Sequence, residues 1–199
     1  MKRRVFLGTA AAIVVARPAM AQIISLDRIS RYFNSLETAE ARFEQVNGDG
    51  SRSTGRLFMH RPGRMRFDYD DPLDVLVLAS GGQVGIFDGK SNRKSAERYP
   101  LRRTPLNLIL ERNVDLSRRR MVRGHRVDGP VTTVVAQDPE RAEYGFIELK
   151  FRDDPVRLVG WRTVDGSGNT TELRFSELKV GGQYPTSLFS IKREEDRRF

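Results

Sequence analysis

The chain has 199 residues and a formal net charge of +9, from 35 Lys and Arg against 26 Asp and Glu. It contains no cysteine, which excludes disulfides, thiolate metal sites, cysteine nucleophiles and lipid attachment to an N-terminal cysteine. The length fits one domain preceded by a processing segment.

Residues 1–21 have the pattern of a signal peptide. Residues 2–4 are basic, residues 6–16 form an apolar run, and residues 19–21 form a small-x-small cleavage site. The apolar run is too short to span a bilayer. We therefore predict export to the periplasm and a single mature domain over residues 22–199. Arg3-Arg4 fits both the general secretory route and the twin-arginine route, and the sequence leaves both open.

The mature sequence begins with a helical pattern and continues mainly as β-strands. Ser25 is placed as the N-cap of a helix that ends near Leu36. Turn sequences such as Gly48-Asp49-Gly50 separate the strands that follow. Strands are predicted from Phe43 to the first turn and over residues 56–60, 64–69, 75–79, 84–87, 92–98, 119–127, 131–137, 144–151, 156–164 and 170–178. Short strands joined by tight turns indicate one antiparallel meander that curls into a barrel. The charged residues 192–199 are expected to fray.

One strand, residues 64–69, has the clearest alternation in the chain, and prolines at positions 62 and 72 bracket it. Its apolar side chains are Met65, Phe67 and Tyr69. Its charged side chains, Arg64, Arg66 and Asp68, point the other way. This pattern predicts an apolar core or cavity on one face and water on the other.

Residues 104–112 interrupt the strands with a short apolar helix. Thr104 is placed as its N-cap, and Pro105 occupies the first helical position. Such a helix can close the open mouth of a barrel or pack on the sheet as ordinary core, and the pattern favours neither.

The sequence offers no catalytic or metal-binding constellation. The two histidines, His60 and His125, lie on separate predicted strands, and no nucleophile–base motif or phosphate-binding loop is found. Asp70-Asp71 and Asp153-Asp154 each precede a proline, which favours turns over paired catalytic carboxylates. We therefore expect no catalytic residue, no metal, no cofactor and no enzymatic activity. A small periplasmic hydrolase would need a nucleophile–base pair.

Two runs of arginine, residues 102–103 and 118–120, indicate a solvated face or attraction to anionic lipid or an acidic partner. Nucleic-acid binding requires aromatic and basic side chains on one exposed face. Phe67 instead lies opposite Arg64 and Arg66 on its strand, so we expect no nucleic-acid partner.

The chain resembles the LolA family, the periplasmic outer-membrane lipoprotein carrier proteins, over essentially the whole mature sequence. The resemblance rests on the signal peptide, Phe43-Glu44-Gln45 after the first helix, the Arg61-Pro62 strand with Tyr69 and Pro72, and the Thr104-Pro105 helix. It implies an unclosed antiparallel barrel with a helical lid over an apolar cavity. It also implies a monomeric carrier of acylated lipoproteins, which takes them from an ATP-driven releasing complex in the inner membrane to a receptor on the outer membrane.

The resemblance also assigns roles to residues. Arg61 corresponds to an arginine that latches the lid through backbone carbonyls, here around Leu108 to Leu110. The alternative is that Arg61 merely ends a strand at a turn. The lid side chains are Leu106, Leu108, Ile109 and Leu110. The cavity wall is formed by Met65, Phe67, Tyr69 and Val77.

Two residues depart from the family pattern. Gly85 stands where the family often has a large aromatic residue, and Asn107 places an amide in the lid. Both predict a cavity of different shape or polarity. A lipid-binding envelope sensor, or another lipid carrier of the same fold, is the alternative function.

Overall fold

The computed structural model describes residues 22–91, 95–117 and 120–198, so the predicted signal peptide at residues 1–21 lies outside the described residues. The helices are α1 Leu26–Ser35, α2 Asn107–Leu110 and α3 Ile191–Arg198. The strands are β1 Thr38–Asn47, β2 Arg52–His60, β3 Arg64–Tyr69, β4 Val75–Ser80, β5 Gln83–Asp88, β6 Glu97–Pro100, β7 Val122–Asp128, β8 Val131–Ala136, β9 Phe146–Arg152, β10 Arg157–Val164, β11 Thr170–Phe175 and β12 Lys179–Val180.

All of these strands belong to one antiparallel sheet. The order is β6-β5-β4-β3-β2-β1-β11-β10-β9-β8-β7, and β12 pairs with β1 beyond the end of β11. Two meanders, β1–β6 and β7–β11, are therefore joined by β1 and β11, with Phe43 opposite Phe175. Within the described residues β6 and β7 do not pair with each other. The mainly β, unclosed antiparallel fold is thus confirmed.

The core lies between α1 and the inner face of the sheet. The Ser25 hydroxyl accepts a hydrogen bond from the Arg28 amide at 3.4 Å, which confirms the predicted N-cap. Ile29 and Phe33 are fully buried, and the Phe33 ring meets the Phe151 ring edge-on at 5.8 Å. Burial of these apolar side chains, more than helix propensity, holds a helix of this length in place.

Several predicted strand limits shift. The first strand begins at Thr38, ahead of Phe43. The strand predicted from residue 119 begins at Val122, the first residue to pair with β8, and residues 118–119 lie outside the described part of the chain. The return strand predicted over residues 92–98 is β6 at Glu97–Pro100, and residues 92–94 are likewise not described.

The C-terminal residues form a helix, so the expected fraying is wrong for residues 192–198. Ile191 packs in a second apolar cluster with residues of β4 and β5, on the outer face of the sheet. Glu194 is buried and accepts hydrogen bonds from Arg197 and from Arg198, the latter at 2.9 Å. Arg66 of β3 reaches the same carboxylate at 3.5 Å and donates to the Leu188 carbonyl at 3.0 Å. The charged face of β3, expected to meet water, is therefore covered, because opposite charges from distant parts of the chain pair there.

Glu194 makes the stability of this cover depend on pH. Burial raises its pKa, but the hydrogen bonds from Arg197 and Arg198 and the charge of Arg66 outweigh burial and lower the pKa to about 2. Since the folded pKa lies below the usual value of 4.5, Glu194 stabilises the fold above pH 4.5 and loses this effect as the pH falls toward 2. We expect wild type to exceed Glu194→Gln in unfolding free energy at pH 7, and the difference to shrink by pH 3. Urea unfolding at both pH values measures it, and a constant difference would contradict the prediction.

Gly85 lies on this outer face, so the hypothesis that it shapes the cavity is wrong. It pairs with Leu78 of β4, and a Cβ added to it would lie 3.1 Å from the Ile191 side chain. The absence of a side chain leaves the space that Ile191 fills. Gly85 is thus explained by the packing of α3 on the sheet.

Gly85→Val is expected to destabilise the protein by about 1–3 kcal/mol, because the added methyl groups overpack the contact with Ile191. Urea unfolding measures the loss. The double variant Gly85→Val with Ile191→Ala serves as the control, since the smaller residue makes room and the two effects should not add. Strict additivity of the two losses would exclude direct contact as the cause.

Candidate functional site

The residues predicted to form the cavity wall lie together on the inner face of the sheet. Phe67 pairs with Val77 across β3 and β4, and Met65 pairs with Met59 of β2. Directly paired residues in an antiparallel sheet point to the same side. Met65 and Phe67 are 0% and 6% exposed, and Tyr69 and Val77 are partly buried against the same cluster.

Tyr69 lies at the end of the wall, and its hydroxyl group has a hydrogen-bond partner. Its hydroxyl donates to Gln45 Oε1 at 2.6 Å, and its ring meets Phe43 edge-on at 5.3 Å. Burial raises the pKa of Tyr69 to about 12, and the hydrogen bond to Gln45 opposes this rise. The hydroxyl is therefore neutral at physiological pH, and the wall carries no charge at this position.

The lid is shorter than predicted. Its helix, α2, covers Asn107–Leu110, and the preceding residues form tight turns. Thr104 is not the N-cap, because its hydroxyl donates to the Leu101 carbonyl at 2.8 Å. The amide of Asn107 donates to Glu111 Oε1 at 3.3 Å and thus bonds within the lid segment itself.

The lid side chains pack into the same buried cluster as the wall. Leu108, Ile109 and Leu110 are 5%, 1% and 2% exposed, and Leu106 is partly buried at the start of the lid. The space between wall and lid is therefore filled by the protein's own side chains. Residues 108–110 and the predicted wall thus bury each other in one apolar cluster.

Arg61 joins the lid to the rest of the molecule through main-chain oxygens. One guanidinium nitrogen donates to the Glu111 carbonyl at 2.6 Å and another to the Leu36 carbonyl at 3.3 Å. The amide of Gly63, two residues on, donates to the Leu110 carbonyl at 2.9 Å. The contacts fall at the C-terminal end of the lid, where helix carbonyls lack internal partners.

Arg61 is buried, with 8% of its surface exposed, and the centre of its guanidinium lies 5.9 Å from the Phe33 ring. Burial lowers the pKa of Arg61, although a guanidinium remains charged in proteins. Its Nε has no hydrogen-bond partner among the described residues. Its acceptors are neutral carbonyl oxygens, which offset part of the cost of burying the cation.

The sequence analysis did not identify two residues of α1 whose side chains bond to the segment that follows the lid. The Asn34 side chain bonds both backbone groups of Val114, and the Ser30 hydroxyl accepts from the Leu116 amide. The sequence feature that could have indicated them is the spacing of Ser30 and Asn34. Two polar residues four positions apart lie on the same side of a helix.

The two histidines differ in their hydrogen bonding. His125 Nε2 lies 2.8 Å from the Ile24 carbonyl. The His60 ring packs against Phe189, and its Nδ1 is buried without a hydrogen-bond partner among the described residues. Among the described residues no group of three or more His, Asp or Glu side chains is placed to hold a metal ion. In the same part of the chain no helix has the length and apolarity needed to cross a membrane.

A comparison with protein families matches residues 34–192 to the family described as outer membrane lipoprotein carrier protein LolA. The matched range contains most of the chain, including Arg61, the wall and the lid. The chain belongs to the LolA family.

Individual LolA relatives agree with this assignment. A protein named outer-membrane lipoprotein carrier protein from Azotobacter vinelandii is 25% identical over 96% of this chain and 95% of its own length. A protein of the same name from Chromobacterium violaceum is 27% identical over 92% of this chain and 90% of its own length. A solved putative outer membrane lipoprotein-sorting protein domain from Vibrio parahaemolyticus is 13% identical, with a TM-score of 0.50 over 85% of this chain and 97% of that chain, and shows likeness of fold alone.

Proposed function

We propose that this LolA-family protein carries acylated lipoproteins through the periplasm. It would receive them from an ATP-driven releasing complex in the inner membrane and deliver them to a receptor on the outer membrane. Membership of the family, and relatives named as outer-membrane lipoprotein carriers, support the proposal. In this proposal residues 1–21 are a signal peptide, residues 22–199 are the carrier domain, and the protein acts as a monomer without catalysis or cofactor.

The observation that carries the proposal is an apolar sheet face covered by a short segment, whose end accepts a hydrogen bond from the buried Arg61. Each methylene of an acyl chain costs about 0.8 kcal/mol to expose to water, so a lipoprotein needs a shield to cross the periplasm. The wall at Met65, Phe67 and Val77 offers such a face once Leu108–Leu110 leave it.

Arg61 then acts as the latch of the lid. Its guanidinium donates to the Glu111 carbonyl, so cargo that lifts the lid breaks this bond directly. The guanidinium keeps its second partner, the Leu36 carbonyl, while the lid is open. An arginine that remains partly bonded is ready to close the lid again.

Release follows from competition between lid and cargo for one surface. Full burial of three side chains of Leu or Ile size contributes about 5–9 kcal/mol, comparable to roughly 6–11 methylene groups. Two or three long acyl chains exceed this. Closure of the lid therefore lowers the cost of release without completing it, and a receptor with its own apolar site must take up the remainder.

The test is mass spectrometry of lipids and proteins that co-purify with the protein from the periplasm. Triacylated lipoprotein bound at about one copy per carrier is the expected result. Free lipid alone would favour the lipid-binding sensor or another lipid carrier of the same fold. Turnover of a bound ester would instead favour a hydrolase and would contradict the carrier role.

A further inference from the structure

Two side chains of α1 hold the segment that follows the lid. Asn34 Nδ2 donates to the Val114 carbonyl at 2.9 Å, and Asn34 Oδ1 accepts from the Val114 amide at 2.9 Å. One turn earlier in the helix, the Ser30 hydroxyl accepts from the Leu116 amide at 3.0 Å. Three backbone groups of one short segment thus bond to a single helix.

The geometry imitates the edge of a β-strand. In an extended chain, residues two apart turn their backbone groups to the same side, as Val114 and Leu116 do here. Residues four apart share one side of a helix, so Ser30 and Asn34 present their oxygens to that side together. The segment belongs to none of the strands, since β7 begins at Val122. Its side chains are nevertheless buried, with Val114 1% and Leu116 2% exposed.

These contacts are separate from the latch. The latch binds the carbonyls of Leu110 and Glu111, through Gly63 and Arg61. Only Arg112 and Asn113 lie between the latch and Val114, and both are exposed. Exposed residues outside regular structure can change backbone conformation without disturbing the core. The chain can therefore leave the latch while Val114 and Leu116 keep their bonds.

The other end of the lid is held by the main chain. The Leu101 amide donates to the Gly82 carbonyl at 2.8 Å, just after β6, and Leu101 is buried. The lid is thus anchored at both ends. The anchor after the lid includes side-chain hydrogen bonds, which a substitution can remove.

We propose that Asn34 and Ser30 form the fixed hinge anchor of the lid, and that opening releases residues 110–111 while Val114 and Leu116 stay bound to α1. Asn34 is a positioning residue in this scheme, because it sets where the opened lid returns. The inference rests on the proposed carrier function for its meaning, but its structural content is tested on the protein without cargo.

The first measurement is backbone amide hydrogen exchange of wild type, Arg61→Leu and Asn34→Ala, each without cargo. In Arg61→Leu we expect the Gly63 amide to lose protection while those of Val114 and Leu116 keep it. In Asn34→Ala we expect the Val114 amide to lose protection. Joint loss at all three amides in Arg61→Leu would overturn the proposal, because the segment would then detach as one unit.

The second measurement uses the absence of cysteine in this chain. Ile109→Cys places a single thiol in the buried lid, and its reaction with a maleimide reports how often the lid opens. Adding Arg61→Leu should accelerate labelling at least about tenfold, because the bond from Arg61 to Glu111 exists only while the lid is closed. Adding Asn34→Ala should leave the labelling rate close to that of Ile109→Cys alone, because the bonds of Asn34 are kept in both the closed and the open lid. Ser35→Ala is the matched control, since its hydroxyl donates to the Tyr32 carbonyl of the same helix. Acceleration by Asn34→Ala as large as that by Arg61→Leu would overturn the fixed anchor, because the Asn34 bonds would then break on opening.

Two further variants guard against a general loss of structure. Asn34→Asp retains an acceptor for the Val114 amide, so that amide should stay protected from exchange. Ser30→Ala should deprotect Leu116 alone and covers the case in which Asn34→Ala does not fold. Deprotection of distant amides in either variant would overturn the specific role. Binding of a synthetic triacylated lipopeptide is measured separately and tests the carrier function. If the lipopeptide does not bind, the exchange and labelling measurements still test the hinge, because they are made without cargo.

Discussion

Arg61→Leu is expected to fold normally and to bind lipoprotein, but to release it to an acceptor at least tenfold more slowly than wild type. The substitution removes the hydrogen bonds to the Leu36 and Glu111 carbonyls that exist in the closed form. Hydrogen bonds from a charged donor contribute about 1.5–3 kcal/mol each, and 1.4 kcal/mol corresponds to a factor of ten. Losing the Glu111 bond weakens the closed, empty form relative to the loaded form, so cargo is retained.

The measurement is transfer of a triacylated lipoprotein from the loaded protein to liposomes that carry an acceptor. Arg64→Leu is the matched control, because Arg64 lies three residues away at the start of β3, where it pairs with His60 of β2. Trp161, the single tryptophan, packs edge-on against Phe67 and can report occupation of the wall by its fluorescence. Normal release by Arg61→Leu would refute the latch and leave Arg61 as the end of a strand at a turn.

Phe189→Ala is expected to destabilise the fold by about 3–5 kcal/mol, the usual range for removing a buried aromatic side chain. Phe189 is fully buried on the outer face of the sheet and meets the His60 ring at 5.8 Å. It lies directly before α3, and the neighbouring Leu188 carbonyl accepts from Arg66. Its loss should therefore loosen α3 together with the ion pairs of Glu194.

Urea unfolding at pH 7 measures this effect, and the rate of proteolysis within α3 reports whether the C-terminal helix detaches first. Lys192→Ala is the control, since Lys192 is exposed and pairs with Asp196 one turn away. An exposed pair of this kind contributes at most about 1 kcal/mol. A loss in Phe189→Ala no larger than in Lys192→Ala would show that α3 does not stabilise the sheet.

The part of the candidate site that depends on a local sequence pattern could be predicted from the sequence. The alternation of Met65, Phe67 and Tyr69 predicted one apolar face of β3, and burial of Met65 and Phe67 agrees with it. The role of Arg61 came from resemblance, which pointed to carbonyls at residues 108–110. In the structure the Arg61 guanidinium donates to the Glu111 carbonyl, and the Gly63 amide donates to the Leu110 carbonyl. A shift of one residue lies beyond sequence reasoning, because it depends on where a short helix ends.

The two wrong predictions, for residues 192–198 and for Gly85, have the same cause. Residues 192–198 looked too charged to order, and Gly85 looked like part of a cavity, because each was judged by its neighbours in sequence. Glu194 is stabilised by Arg66, which lies 128 residues earlier, and Gly85 is required by Ile191. Opposite charges and complementary shapes stabilise a segment only when the fold brings them together.

Local sequence is enough to specify the capped helix α1, the two-faced strand β3, the Gly48-Asp49-Gly50 turn with Gly50 at positive φ, and the absence of cysteine chemistry. These follow from hydrogen bonding, side-chain periodicity and backbone sterics within a few residues. The tertiary structure alone shows that β1 pairs with β11, that α3 covers the outer face, and that Arg61 bonds to Glu111 and Asn34 to Val114. Each of these contacts joins residues distant in sequence, and its free energy exists only once the chain between them has folded.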